Sequence, residues 1–378
     1  MVKVGINGFG RIGRLAFRIG LLKHSNEVSF VAINTSGSMN TAGWAHLTNF
    51  DTIYRQFEYG VKSEEYRKPE LVTDEEPEIG TLMVSEKNVK VPILAQKDPA
   101  KIPWGKYEVD VVIEATGKFT DQEGAKKHAI GGAKRVVISA PAKGENVATY
   151  IIGVNDPPSH KASEGQGKPY VISSSSCTTN CVAPVASILH SKFGIEKATM
   201  TTVHSYTDDQ NLQDGSHKDL RRARAAGQNI IPTSTGAAIS TTETIPELKG
   251  LFDGMSLRVP TATGSITDFT MVLKKNVTVD DVNNAFKEAI QNSLYKGIVA
   301  VSEGNLVSSD IIGRSESAIV DLPLTQVVAG NLVKVFAWYD NEWGYANRLV
   351  EQVIRIGRTL DNNKAPTDPI SLSYGRDN

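Results

Sequence analysis

Val2-Lys3-Val4-Gly5-Ile6-Asn7-Gly8-Phe9-Gly10-Arg11-Ile12-Gly13 opens the chain and decides its fold class. Val2–Asn7 is rich in β-formers, and Arg11–His24 carries helical spacing of apolar residues. Between them Gly8, Gly10 and Gly13 stand in G-x-G-x-x-G order. The first glycine permits a tight turn. The second lets the backbone come close to a pyrophosphate, and the third lets the helix pack on the strand. The helix start then offers unpaired N–H groups to an anion. By itself this spacing also fits a plain turn. Set between one strand and the next, Val28–Asn34, it points to a dinucleotide site.

Moving outward, short apolar runs keep alternating with helical stretches. Val109–Glu114, Arg135–Ser139 and Tyr150–Val154 are further buried-strand candidates, with a helix predicted over Gln122–Ile130. Such alternation indicates a parallel α/β sheet. The middle is strand-rich: Thr199–His204, Gly254–Val259 and Ser265–Lys274, the last with strict period-2 alternation. Val279–Tyr295 is predicted as an amphipathic helix, Asn331–Tyr339 as a strand and Glu342–Arg358 as a terminal helix. The expected fold is α/β: a Rossmann-type parallel sheet domain from residues 1–176 and 342–378, and an α+β catalytic domain with a mixed or antiparallel sheet from residues 177–341. Glu58–Gly80 is charged and poorly periodic, so a surface excursion is expected there. The tail Thr359–Asn378 is expected to be extended or disordered.

Composition sets outer limits. Length over ~150 gives two to three domains for 378 residues. Lys+Arg 41 against Asp+Glu 42 leaves a net charge of -1, which argues against a nucleic-acid coat. No apolar run is long enough to span a bilayer, and the N-terminus lacks the pattern of a secretory signal. Two cysteines, one helical turn apart, make no disulfide framework. Without nearby histidines they make no zinc site either. A reducing, cytoplasmic setting is expected, with a small-molecule substrate and neither membrane nor nucleic acid as partner.

The cysteines differ in context. Val171–Ser176 is predicted as a strand and Val182–Phe193 as a helix, which puts Cys177 at or just before the helix start. There the dipole and N–H groups are expected to lower the thiol pKa. Cys181, beside Val182 and Ala183, fits a small buried hydrophobe. A thiolate nucleophile needs an acid–base partner. His204 ends an apolar strand before Ser205-Tyr206-Thr207 and is the candidate. His24, His46, His128, His160, His190 and His217 have surface-like contexts, and solvated faces are expected for each. Lys218–Arg224 carries Lys218, Arg221, Arg222 and Arg224, either a solvated helix face or an anion site. With Thr235-Gly236 and Arg258 downstream, a phosphorylated substrate is favoured.

Four stretches carry a family resemblance. Gly5-Ile6-Asn7-Gly8-Phe9-Gly10-Arg11-Ile12-Gly13, Ser176-Cys177-Thr178-Thr179-Asn180-Cys181, Asp219-Leu220-Arg221-Arg222-Ala223-Arg224 and Trp338-Tyr339-Asp340-Asn341-Glu342-Trp343-Gly344-Tyr345 resemble phosphorylating glyceraldehyde-3-phosphate dehydrogenase, in order, over nearly the whole chain. The resemblance implies that Cys177 attacks an aldehyde and that His204 is its base. It implies two anion sites, for substrate phosphate and inorganic phosphate, from Ser176, Thr178, Thr207, Arg222, Thr235, Gly236 and Arg258. It implies cofactor contacts from Gly8, Gly10, Arg11, Ile12, Thr35, Ser36, Lys97, Thr116, Ser139, Ser216, Asn341 and Tyr345, with Asn341 fixing the nicotinamide amide. A homotetramer is implied as well.

Some positions depart from the common pattern. The second strand ends Asn34-Thr35-Ser36, without the carboxylate that holds a ribose 2′-OH. Gly215-Ser216 replaces a common Leu-Pro pair, and serine at the second position resembles the NADP-using, chloroplast-type members. Both positions favour NADP, with NAD admissible. Lys97 stands where the family's adenine-side Arg is usual. Erythrose-4-phosphate dehydrogenase, aspartate-semialdehyde dehydrogenase, a cysteine acyl hydrolase and a dinucleotide-binding regulator are the competing readings. The first two share the thioester chemistry; the last two would leave Asn341 or the Cys177–His204 pair without a task.

Overall fold

The computed structural model describes residues 1–144, 146–155 and 170–360. The glycine stretch forms as its spacing requires. Strand β1 (Val2–Asn7) leads into helix α1 (Arg11–Lys23), and β2 (Val28–Asn34) pairs with β1 in parallel. Gly8 has a φ of +98°, and a Cβ on Gly13 would stand 2.2 Å from the Gly8 carbonyl oxygen. Gly10 has nothing within 4 Å of a built Cβ. Two glycines therefore serve the turn, and the middle one leaves open space.

Helix α2 (Thr41–Asn49) follows, then the small hairpin β3 (Phe50–Asp51) and β4 (Arg55–Gln56). Next come β5 (Val61–Glu65), β6 (Glu78–Val84), β7 (Val89–Leu94), β8 (Val111–Glu114), α3 (Gln122–Ile130), β9 (Arg135–Ile138), β10 (Ala148–Thr149) and β11 (Val171–Ser173). They make a nine-stranded sheet in the order β10-β11-β9-β8-β1-β2-β7-β6-β5. It is parallel from β10 to β7, and antiparallel where β6 and β5 add an edge hairpin.

The second half starts with α4 (Cys177–Phe193) and β12 (Ile195–Ser205). It continues through β13 (Ile231–Ser234), α5 (Ala237–Thr244), β14 (Phe252–Val259), β15 (Ser265–Leu273) and α6 (Val279–Ala289). It ends with β16 (Val299–Ser302), β17 (Ala318–Asp321), β18 (Gln326–Val328), β19 (Leu332–Tyr339) and α7 (Trp343–Arg358). Its sheet is mixed, in the order β13-β14-β12-β15-β19-β17-β16, with β18 beside β19. The strict alternation predicted for β15 is seen in its burial, inside and outside by turns. Helix α7 returns to the first sheet. Its apolar face joins the same core as β1 and α1, and a Cβ on Gly357 would stand 2.3 Å from Val2 Cγ1.

Several expectations are corrected. Tyr150–Val154 is buried in part but is a turn, because Gly153 has a φ of +87° and the Asn155 side chain caps the Ile151 N–H at 2.8 Å. Burial of a short apolar run does not by itself make a strand. Glu58–Gly80 is more than an excursion, since it contributes β5 and the start of β6 to the sheet edge. Helix α6 stops at Ala289, because Asn292 bonds the Leu294 N–H with its own side chain at 2.9 Å. Lys218–Arg224 is a set of bends and turns rather than a helix face. Strand β11 ends at Ser173, and α4 starts at Cys177, ahead of the predicted Val182. His24 and His128 are buried: His24 pairs with Glu27 at 2.7 Å, and His128 with Glu114 at 2.9 Å. His160 and residues 361–378 of the tail lie outside the described residues.

Candidate active site

The three residues before Cys177 leave the sheet abruptly. Ser175 takes a φ of +54°, a left-handed conformation that a non-glycine residue adopts only under constraint. Ser176 then caps α4 by accepting the Thr179 N–H at 3.1 Å. Cys177 is thereby fixed as the first residue of the helix.

Strand β12 delivers His204 to the same place. Cys177 Sγ lies 3.4 Å from His204 Nε2. The ring is fully enclosed, with its Nδ1 2.7 Å from the carbonyl oxygen of Ser205. Tyr339, at the end of β19, presents its ring to the imidazole at 5.9 Å in an edge-on arrangement. Its hydroxyl bonds Thr178 at 3.0 Å and Thr202 at 2.7 Å. Arg258 arrives on β14, register partner of His204, and places Nη1 2.9 Å from His204 Nδ1. The same nitrogen is 3.2 Å from Ser205 O and 3.5 Å from Thr207 Oγ1.

These neighbours shape the charges. Burial, and then the Arg258 charge, push His204 down to about 3. Burial pushes the Cys177 thiol up, against the lowering expected from its place at the helix start. Groups that pull it down are nevertheless in position: the Arg258 charge, the Thr178 hydroxyl and the N–H groups of Thr178 and Cys177. Burial also pushes Cys181 well above the usual thiol range, as suits a core residue.

The other predicted anion residues divide. Ser176 and Thr178 flank the cysteine, Arg258 is near enough for its charge to act on the thiol, and Thr207 joins them through Arg258 Nη1 at 3.5 Å. Arg222 lies on its turn, bonded to Thr233 at 2.9 Å and paired with Asp209, near enough for its charge to act on Arg258. Thr235 and Gly236 close β13 and start α5; Thr235 Oγ1 accepts the Ala237 N–H at 3.2 Å.

Asn341, just past β19, is held by the ends of β12 and β15. Its Oδ1 accepts from Ser205 Oγ at 3.0 Å, Thr263 Oγ1 at 3.2 Å, Gly264 N at 3.2 Å and Ser265 Oγ at 3.0 Å. With the oxygen so occupied, the amide NH₂ is the end left to donate. Tyr345 anchors α7 by donating to Ser175 O at 3.0 Å.

A cavity of about 390 Å³ opens over the glycine turn, with Gly8, Gly10, Thr35, Lys97, Thr116 and Phe119 in its walls. The open space beside Gly10 and the unpaired N–H groups at the α1 start fit a pyrophosphate. Arg11 has only its backbone left for such a contact. Its guanidinium is bonded to Glu342 at 2.5 and 2.6 Å and to Asp51 at 2.9 Å. Ile12 packs into the core beneath. The Thr35 hydroxyl is also spent, donating to Leu94 O at 3.0 Å and accepting the Gly37 N–H at 3.2 Å. Ser36 and Lys97 instead face both this cavity and a neighbouring one of about 460 Å³, walled on its far side by Pro69, Glu70 and Asp74. Ser139 follows β9, its N–H donating to Glu114 O at 2.9 Å. Ser216 is exposed and lines neither cavity.

A buried relay under the cavity has no counterpart in the sequence reading. Trp104 Nε1 donates to His128 Nδ1 at 2.9 Å, so Nε2 holds the ring proton and donates to Glu114. Glu114 also accepts from Asn7 Nδ2 at 2.6 Å and from the Thr116 N–H at 2.9 Å. Asn7 in turn accepts from Asn34 Nδ2 at 2.8 Å. The floor of the cofactor cavity is thus held from below. Glu114 closing a strand was the one available signal; His128 looked like any basic residue in a last helical turn.

A glycine-turn α/β sheet joined to a cysteine–histidine pair on a mixed sheet defines the class: a dinucleotide-binding fold with a thiol centre. Family models place it further. The glyceraldehyde 3-phosphate dehydrogenase NAD binding domain matches residues 2–122, and the C-terminal domain of the same family matches residues 176–341. Glyceraldehyde-3-phosphate dehydrogenase of Streptomyces coelicolor is 48% identical over 363 residues, 95% of this chain and 99% of the relative. Glyceraldehyde-3-phosphate dehydrogenase 1 of Bacillus cereus is 46% identical over 351 residues, 93% of this chain and 97% of the relative. The chain belongs to the glyceraldehyde 3-phosphate dehydrogenase family. No helix among the described residues is long and apolar enough to cross a membrane.

Proposed function

We propose that this chain reversibly oxidises glyceraldehyde 3-phosphate, with inorganic phosphate, to 1,3-bisphosphoglycerate. The observation that carries this reading is the 3.4 Å approach of Cys177 Sγ to His204 Nε2 at the start of α4. When bound, a nicotinamide dinucleotide supplies the hydride acceptor. The chain does the rest. Cys177 adds to the aldehyde carbon as its thiol proton passes to His204 Nε2, giving a thiohemiacetal. The N–H groups at the start of α4, that of Cys177 among them, stabilise its oxyanion. His204 gives that proton to the oxyanion and then takes it back from the resulting hydroxyl as the carbon gives up hydride, leaving a thioester on Cys177. Phosphate attacks the thioester carbon, the acyl phosphate leaves, and the thiolate is regenerated. Arg258, Thr207, Thr178 and Ser176 hold one anion beside the sulfur, and Arg222, Thr235 and Gly236 hold the other.

The Asn341 amide, locked by four donors to its oxygen, is suited to hold a carboxamide; a hydrolase would have no use for it. The cofactor is NADP or NAD. The missing carboxylate at Thr35 favours NADP, and the exposed Ser36 and Lys97, rather than the spent Thr35 hydroxyl, are the donors for a 2′-phosphate. Residues 1–176 with 342–378 form the dinucleotide-binding domain, and residues 177–341 the catalytic one. Exposed Leu212, Leu220, Ile230 and Ile239, close in sequence, support assembly into a homotetramer. The test is direct: purified protein with the aldehyde, phosphate, and NADP or NAD, followed by reduced-nicotinamide absorbance. No turnover with either cofactor overturns the proposal.

A further inference from the structure

Glu114, at the end of β8, is enclosed and surrounded by donors. It accepts from Asn7 Nδ2 at 2.6 Å, from His128 Nε2 at 2.9 Å, from the Thr116 N–H at 2.9 Å and from the Thr116 hydroxyl. A carboxylate offers about four acceptor sites, so these partners fill it. The donors arrive as two directed chains. On one side Trp104 Nε1 donates to His128, and His128 to Glu114. On the other the Gln96 N–H donates to Asn34 Oδ1 at 2.9 Å, Asn34 Nδ2 to Asn7 Oδ1 at 2.8 Å, and Asn7 to Glu114. Both chains end on one carboxylate. No amide or ring along them can turn round without setting donor against donor.

Thr116 is where this direction reaches the cavity over the glycine turn, which it lines. Its hydroxyl proton is spent on Glu114, because a carboxylate can only accept. The Lys118 N–H, at 3.1 Å, occupies one of the two lone pairs of a hydroxyl oxygen. One lone pair is left. Cys177, His204 and Asn341 do not line this cavity, so the half of a dinucleotide that falls there is the adenosine half.

We propose that Glu114 is a positioning residue for the dinucleotide: by holding the Thr116 proton it presents Thr116 Oγ1 to the cavity as an acceptor only, and so selects a hydrogen-bond donor, a ribose hydroxyl or the purine amine, on the adenosine half. The inference rests on the reading that a nicotinamide dinucleotide occupies this cavity. A phosphate oxygen is refused at that atom, since two acceptors would face each other. The pyrophosphate is left to the N–H groups at the start of α1. Glu114 itself lines no part of the cavity, so it acts on the ligand through Thr116 and Asn7, which do.

Calorimetric titration without aldehyde tests this apart from turnover. The parent ligand is NADP or NAD, whichever binds more tightly. Its analogues each lack one donor of the adenosine half: hypoxanthine in place of adenine, 3′-deoxyadenosine and, for NAD, 2′-deoxyadenosine. One analogue is expected to bind the native protein about fivefold or more weakly than the parent, because it leaves the Thr116 oxygen unpaired. Thr116→Val should bind the parent and that analogue alike, and Thr116→Ser should restore the difference. Glu114→Gln should shrink the difference although Thr116 is intact. The new amide keeps its oxygen on the two N–H donors, Asn7 and His128, and turns its NH₂ to Thr116, whose hydroxyl then accepts and frees its proton. A merely structural role would weaken parent and analogues alike and leave their ratio unchanged. Analogues that all bind as tightly as the parent, a ratio that Thr116→Val leaves in place, or an equal weakening of every ligand by Glu114→Gln overturns the proposal. Should Glu114→Gln fail to fold, the two Thr116 variants decide. Native protein that binds neither NADP nor NAD would instead remove the underlying reading.

Discussion

Cys177 and His204 face each other across 3.4 Å, and each constrains what the other can be. Cys177→Ser is expected to abolish oxidation and to leave no acyl adduct after incubation with aldehyde and cofactor, as read by intact-mass spectrometry. Full activity in that variant would remove the nucleophile. His204 also makes a stability prediction. Its folded value is depressed to about 3 from an ordinary 6.5, so the fold favours the neutral ring. That contribution is complete above pH 6.5 and is lost as pH falls towards 3. The loss is at most about 1.4 kcal/mol per unit. His204→Asn should therefore flatten the fall in Tm between neutral and mildly acidic pH; an equal fall in both proteins would contradict this. Thr35→Asp should shift the ratio of kcat/KM towards NAD, because a carboxylate there repels a 2′-phosphate and accepts from a 2′-OH. An unaltered ratio would place cofactor choice elsewhere.

Helix α3 and the strands beside it show how an element can matter through what it holds. His128 sits near the end of α3 and is wholly enclosed between Trp104 and Glu114. Removing it with His128→Phe would leave the Trp104 N–H and one Glu114 oxygen short of a partner. The expected cost is about 1–3 kcal/mol in urea unfolding. KM for the dinucleotide should rise more than kcat falls, since Glu114 also holds Asn7 and Thr116. Iodoacetamide reactivity of Cys177 should stay unchanged, and a changed reactivity would mean that the relay reaches further than the cofactor cavity. Helix α4 depends on its cap in a similar local way, since Ser176 accepts the Thr179 N–H and so fixes where Cys177 stands.

At the scale of the whole molecule α7 brings the chain back to the first sheet, and long-range charge pairs fix the point where it starts. Arg11, at the start of α1, reaches Glu342, which immediately precedes α7, and Asp51 on the β3–β4 hairpin. Tyr54 completes the junction by donating to Asp340 at 2.7 Å. Arg11→Gln would leave two carboxylates facing each other and should lower stability by about 2 kcal/mol. That is less than for a fully enclosed pair, since the Arg11 side chain is 34% exposed. Because its guanidinium is spent on this junction, KM for the dinucleotide should change little once unfolding is allowed for; a large rise in KM would return Arg11 to the cofactor.

The strand–turn–helix start of the first sheet, β12, β15 and the last helix, the glycine turn, the thiol at a helix start and the buried Cys181 were legible in the residues themselves. Each depends on spacing along a short stretch: period two for β15, helical period for α1, fixed offsets for Gly8, Gly10 and Gly13. The residues themselves offered Arg258 as an anion candidate, and the family resemblance added Asn341 as an expected cofactor contact. What they touch was not legible. Only folding sets Arg258 against the Nδ1 of His204, surrounds the Asn341 oxygen with donors from β12 and from the Thr263–Ser265 stretch, and spends Arg11 and Thr35 on protein partners. Tertiary structure also decided that His128 points inward and that Tyr150–Val154 turns. The physical reason is common to all of these: a hydrogen bond between residues far apart in the chain leaves no period in the sequence, and a side chain's protonation depends on neighbours that arrive from other strands.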